Sequence, residues 1–401
     1  MNNRLEKLNP GILKLELFCK GMRVDPSCDL ENDARLVSRI RAGLGSGLEM
    51  ILPDNLYANI AILEEFAKKS PFLLTKRNGR YYVTEEGKEL CQVTIPHQPL
   101  WYNRKTSNRT LMSRVGMLQG TYLAIYPARV CSYWLSDPRQ NCKFCATGLN
   151  VGVTEEAEKS VQDVVETAVA ARKESKITFV HFNTGYCEGK ALDILAPYVK
   201  AVKEETGLLI GVQCPPEKEL SKYDMMTEMG VDHFSFCFEF FNKEVFEEVC
   251  PGKAITLGQE AFFKAMEYTV RRMGKGKVSG EIIAGLEPVE ETIRAIDYIT
   301  GIGAFPTICV FRPLAGTEYE AKPSPKFEDM LPIFRHMYEA CKRNSIPTDI
   351  APNIKVSLVV LPYEGRYFRE GYGFDDFIYS CKLALIRLLF RTYYSLKLFL
   401  K

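Results

Sequence analysis

The chain has 401 residues, 46% of them hydrophobic and 25% charged, with a formal net charge of +2, which suffices for one large domain, a smaller companion and a substantial core. So balanced a charge excludes long-range attraction to nucleic acid or acidic lipid and leaves such contacts to local basic patches. The polar opening MNNRLEKLNP is unlike a signal peptide, no uncharged apolar stretch reaches the ~18 residues of a membrane span, and a cytoplasmic protein with thirteen cysteines is expected to use them as reduced thiols, metal ligands or redox groups.

Residues 1–110 differ in character from the rest of the chain. Helical periodicity is expected around 31–44 and again in NLYANIAILEEFAKKS (55–70). In PFLLTKRNGRYYVTEEGKEL (71–90), Asn78-Gly79 sits between two β-rich runs, a strong hairpin signal. A helix leading into such a hairpin is the pattern of a winged-helix-like α+β module, and 1–110 is expected to form one as an accessory domain. Only Lys76, Arg77 and Arg80 crowd the hairpin, with acids close by, so DNA binding is not expected.

From residue 120 the pattern becomes strand, loop, helix, repeated. Strands are expected at 121–127, 176–183, 208–214, 231–238, 278–285 and 305–311, each a near-continuous apolar run of the kind that is covered on both faces. Amphipathic stretches between them are expected to be helices, several ending on glycine. Six such units in series define a partial or full parallel β/α barrel over 111–345, because right-handed crossovers leave few other topologies. The remaining 346–401 form a C-terminal extension. Its last segment, FIYSCKLALIRLLFRTYYSLKLFLK (377–401), is helical in pattern and carries five basic residues and no acid. Packing over the barrel's open side is favoured for it, ahead of peripheral membrane contact.

Barrel chemistry sits at the carboxyl ends of the strands, and there the first strand runs into CSYWLSDPRQNCKFCATG (131–148). Cys131, Cys142 and Cys145 are too many for one disulfide and too few to close a tetrahedral structural zinc site. Soft thiolates select zinc, copper(I) or iron–sulfur clusters. A [4Fe–4S] cluster on three cysteines leaves one iron open to a substrate; zinc with a distant fourth ligand and unligated loop thiols are the alternatives.

A three-cysteine loop after the first strand of a β/α barrel resembles the radical S-adenosylmethionine (SAM) superfamily. That family's usual spacing is C-x3-C-x2-C with an aromatic residue before the third cysteine. Phe144, Gly148 and the second gap match, while ten residues separate Cys131 from Cys142. Later segments add to the likeness. NTGYCEG stands where the family binds the methionyl amino group and retains Thr184, Gly185 and Glu188. Glu239 falls where biotin and lipoyl synthases carry an acid near their substrates. GEIIAGLE follows the G-x-I-x-G-x-x-E strand with Gly280, Ile282 and Glu287 kept and Ala284 replacing the second glycine. FRPLAGTEYE is similar to the Arg-Pro-x-x-Gly-Thr turn of biotin-synthase-like enzymes and supplies Arg312, a candidate for holding a substrate carboxylate.

The resemblance covers about 120–320 and implies a [4Fe–4S] cluster on Cys131, Cys142 and Cys145, with SAM on its open iron. It implies reductive cleavage of SAM, hydrogen abstraction from a substrate C–H bond, and a low-potential electron donor of ferredoxin or flavodoxin type. Within the biotin/lipoyl synthase-like branch the sulfur-inserting members need a second cluster. Val278 stands where biotin synthase supplies a cysteine to it, so sulfur insertion is not expected. Cys187, Cys214, Cys237 and Cys309 lie on or near the strands, as ligands or as small packed residues. A small-metabolite substrate is expected; a peptide or tRNA docked by 1–110, and a non-enzymatic metal-binding regulator, are the competing readings.

Overall fold

Asn9 caps the first helix by accepting hydrogen bonds from the amides of Gly11 and Ile12, and Pro10 in the first turn sets the helix Pro10–Lys20. The computed structural model describes residues 8–30, 38–39 and 46–399. After this helix come β1 (Arg23–Val24), β2 (Ser38–Arg39), β3 (Ser46–Leu52), β4 (Leu56–Ile60), β5 (Phe72–Arg77), β6 (Arg80–Glu85) and β7 (Lys88–Val93). Two sheets result, with orders β2-β3-β4 and β1-β5-β6-β7. The hairpin expected at Asn78-Gly79 joins β5 to β6, with both residues at positive φ as the turn requires.

The winged-helix expectation is corrected here. The segment 55–70 is not a helix: Leu56–Ile60 pairs antiparallel with β3, and only Glu65–Lys68 is helical. Apolar residues at 56, 58 and 60 alternate, and β3 beside them gives that alternation a partner. The periodicity expected at 31–44 falls, apart from Ser38–Arg39, outside the described residues. The N-terminal sheets and the barrel share one hydrophobic core, which runs from Leu13 through the barrel strands to Phe368.

β8 (Met117–Gln119), β9 (Tyr122–Ile125), β10 (Phe179–Asn183), β11 (Leu209–Gln213), β12 (His233–Glu239), β13 (Val278–Ala284) and β14 (Phe305–Val310) make one sheet in strict chain order. The six from β9 onward are parallel; β8 runs antiparallel along the edge. Helices Val161–Ser175, Ala191–Thr206, Ser221–Glu228, Gln259–Met273 and Val289–Gly301 cover its outer face. β14 and β8 do not pair, so the sheet is a partial barrel, open on one side. Ala351, Ile354 and Val356, with Phe390 and Tyr394 of the helix Phe374–Phe399, pack on Tyr122, Phe179 and Leu209 at the amino-terminal ends of β9, β10 and β11. Among the described residues no helix is long and apolar enough to cross a membrane.

Candidate active site

The alternate side chains of the parallel strands that point away from the helices line a cavity of about 920 Å³. The cysteine loop lies over its upper end, at the strands' carboxyl termini. Cys131, Cys142 and Cys145 all line it. Local packing fixes each of them. The Tyr186 amide donates to Cys131 Sγ (3.3 Å), and the Ser132 amide donates to the Tyr186 carbonyl (2.9 Å). Tyr133 and Tyr186 stack with ring centroids 4.6 Å apart. Gly185 is required at this clamp, since a Cβ there would stand 2.3 Å from Cys131 Cβ. At the other end the Lys143 amide donates to the Val249 carbonyl and the Gly252 amide to the Gln140 carbonyl, both at 2.9 Å.

The electrostatics ease ionisation at one of the three. Cys142 is held below its ordinary value by the neighbouring Cys250 thiol and by the Lys253 ammonium, against the cost of burial. Burial raises Cys131, to about 11, and raises Cys145, and each is raised further by another cysteine of the set. Three thiolates gathered here therefore need a positive partner. Among the described residues no group of three His, Cys, Asp or Glu is close enough to grip a single metal ion. A cubane cluster, which spreads its thiolates over separate corners, suits three cysteines set apart around one cavity. Asn141 and Asn183 line the cavity beside them, and the buried Oδ1 of each has no hydrogen-bond partner among the described residues.

Below the cysteines the wall is charged. Glu239 pairs with Lys253 at 2.5 Å, and Lys253 also donates to the Cys237 carbonyl (2.8 Å). Burial raises the Glu239 carboxyl, and the carboxylate beside Lys253 keeps its ammonium well above the usual range despite burial. Glu281 accepts from Gln213 Nε2 (2.6 Å), Ser235 Oγ (2.6 Å) and Cys237 Sγ (3.2 Å). Deeper still, His181 and His233 are pushed down to about 3 and about 4 by burial, so both rings are neutral at pH 7. Gly211 opens the space in which the Phe179 and His181 rings lie: a Cβ there would meet Phe179 at 2.4 Å.

Thr184, Gly185, Glu239 and Ile282 of the expected site line this cavity with the three cysteines. The others lie off its wall. Glu188 is exposed on the turn before the helix Ala191–Thr206, at φ 52°. Gly280 faces outward, where a Cβ would meet Ile299 at 2.8 Å and Met266 at 3.1 Å, so its smallness serves helix packing. Ala284 is buried in the core. Glu287 accepts from the amides of Phe241 and Asn242, both 2.9 Å, and ties down that loop. Arg312 does not reach the cavity: it donates to the Asn59 carbonyl (2.6 Å) and Asn59 Oδ1 (3.2 Å) beneath the N-terminal sheets. Of the strand cysteines, Cys214, Cys237 and Cys309 line the cavity and Cys187 does not. Asn183, Gln213, Lys253 and Glu281 escape sequence reasoning. Gln213 and Glu281 are legible only as polar breaks in apolar strands, and Asn183 only as the neighbour of Thr184.

No family model matches the chain. A curated relative, the bacteriochlorophyllide c C-7(1)-hydroxylase of Chlorobaculum limnaeum, is 25% identical over 135 residues, 33% of this chain and 34% of that protein. The chain thus spans about a third of that relative's length. Similar solved structures include a methylornithine synthase, with 17% identity, 55% of this chain and 62% of that one covered, and a TM-score of 0.44. A radical SAM methyltransferase from Sphaerobacter thermophilus shows 12% identity, 72% and 81% coverage and a TM-score of 0.42.

Proposed function

We propose that this chain is a radical SAM enzyme acting on a small organic substrate held in the barrel lumen. The observation that carries the reading is the convergence of Cys131, Cys142 and Cys145 on one cavity at the carboxyl ends of parallel strands. Those cysteines would hold a [4Fe–4S] cluster, and Asn141 and Asn183 offer unpaired acceptors suited to the ammonium of SAM. When bound, the cluster and SAM supply reductive cleavage of a sulfonium and hydrogen abstraction from an unactivated C–H bond.

The chain's own residues do the rest. Tyr126 accepts from the Gly185 amide (2.7 Å) and holds the 183–187 loop against the cysteine loop. Lys253 offsets the negative charge at Cys142 and orients Glu239 into the lumen. Gln213, Ser235 and Cys237 fix the Glu281 carboxyl, which faces a substrate as a hydrogen-bond acceptor or, protonated, as a donor. The aromatic lower wall excludes water from the remainder. At the cysteine end of the lumen the ammonium of Lys253 is committed to Glu239 and Arg312 lies outside the cavity, so an uncharged or weakly polar group suits that end better than a carboxylate. The curated relative is named as a hydroxylase, which supports assaying C–H functionalisation first.

The test is anaerobic reconstitution followed by SAM and dithionite. Formation of 5′-deoxyadenosine and methionine is the expected result, and a protein that binds iron yet leaves SAM intact would overturn the proposal.

A further inference from the structure

We propose that the outer face of the helix Phe374–Phe399, together with the cationic rim of the cavity's lower mouth, docks this protein on an anionic membrane surface. The inner face of that helix packs through Tyr379, Leu383, Phe390 and Tyr394, at the strands' amino-terminal ends rather than over the gap between β14 and β8. Its outer face is apolar as well. Phe374, Phe377, Ile378, Leu385, Leu388, Leu389, Tyr393 and Leu396 each stand between 51% and 74% exposed. At 3.6 residues per turn all but Tyr393 fall in a stripe about 120° wide and about 33 Å long, opposite the packed side. A contiguous patch of this kind exceeds what a solvated surface ordinarily carries.

Charge identifies the occupant. The exposed residues of the cavity wall are Arg272, Lys275, Lys277, Tyr393 and Lys397. Three precede β13 and two lie on the helix, so they ring the mouth at the strands' amino-terminal ends, opposite the cysteines. Four of the five are cations. Arg272 is paired with Asp224 and Lys275 donates to the Asn344 carbonyl, whereas Lys277 and Lys397 have no ion-pair partner among the described residues. Arg387 and Arg391 turn inward to Asp349 and add nothing to the rim. Tyr393 belongs both to the cavity wall and to the edge of the apolar face, so rim and stripe form one surface. An apolar stripe beside uncompensated lysines matches acyl chains beneath anionic headgroups. The lower mouth consequently opens at the docked surface.

The experiment is flotation of the full-length protein with vesicles of phosphatidylcholine alone or mixed with phosphatidylglycerol, at two salt concentrations. Binding is expected only to the mixed vesicles, weakened by salt. Leu385→Glu with Leu388→Glu, both outside the cavity, is expected to abolish flotation. Lys277→Gln with Lys397→Gln is expected to weaken the partition coefficient about thirty-fold. Far-UV circular dichroism and sedimentation of each variant establish that it folds. The proposal is overturned if wild type fails to float, if the double Glu variant floats like wild type, or if wild type sediments as a dimer that the double Glu variant dissociates. Because vesicle binding is read without SAM turnover, its failure is separable from failure of the catalytic reading.

Discussion

Replacing Arg312 with Met removes a guanidinium that binds the Asn59 carbonyl at 2.6 Å and Asn59 Oδ1 at 3.2 Å and lies 5.0 Å from the Phe18 ring centroid. Arg312 and Asn59 are each only 2% exposed, so water cannot replace the lost donors. Two buried acceptors left unpaired cost about 1–3 kcal/mol each, and the buried Glu64 carboxylate loses a neighbouring positive charge. The two stranded acceptors alone come to about 4 kcal/mol. Unfolding entropy of about 2.1 cal/mol/K per residue, applied to the whole chain, converts this to a fall in Tm of about 5 °C. Differential scanning calorimetry of the full-length protein measures the fall, and 5′-deoxyadenosine formation well below Tm measures function. A fallen Tm with retained turnover is expected. An unchanged Tm with turnover lost would refute the reasoning and return Arg312 to the role of a substrate ligand.

Gly185→Ala is expected to displace Cys131 through the Cβ conflict and to lower bound iron while circular dichroism stays unchanged; full iron content would count against the clamp. Lys14→Met is expected to cost about 3–5 kcal/mol in urea denaturation by stranding Glu364, its partner at 2.8 Å, and adding Glu364→Gln should restore most of it. Glu49 is raised to about 7 by burial, so its contribution to stability is fully present below pH 4.5 and is lost as pH rises through 7. Between pH 8 and pH 4.5 the stability difference should therefore move by about 3 kcal/mol in favour of wild type over Glu49→Gln; a pH-independent difference in urea midpoints would show that Glu49 titrates normally.

The barrel is legible because its strands are buried on both faces and read as unbroken apolar runs. Each of the six expected segments overlaps a parallel strand almost completely, and the helices between them announce themselves by one apolar face. The N-terminal part is less legible because its elements lack one-sided patterns. The helix Pro10–Lys20 buries Leu13, Lys14, Leu15, Leu17, Phe18 and Cys19, all round its axis, so no amphipathic period marks it despite its Asn9 cap. Leu56–Ile60 owes its strand form to pairing with β3, a partner that local sequence does not reveal. At the site the cysteine loop is legible from spacing, whereas Cys250 and Lys253 reach Cys142 only through the docking of 249–252 on the loop. Arg312 and Gly280 show the reverse: motif positions whose side chains serve packing, because a linear match carries no information about which face of a strand or turn looks into the lumen.

The most direct measurement is metal content and cluster absorbance after anaerobic reconstitution, compared across single alanine variants of Cys131, Cys142, Cys145 and Cys250. About four irons per chain are expected in wild type and in Cys250→Ala, with loss of the cluster in each of the other three. A single zinc ion in place of iron, or iron binding indifferent to Cys131, Cys142 and Cys145, would contradict the account.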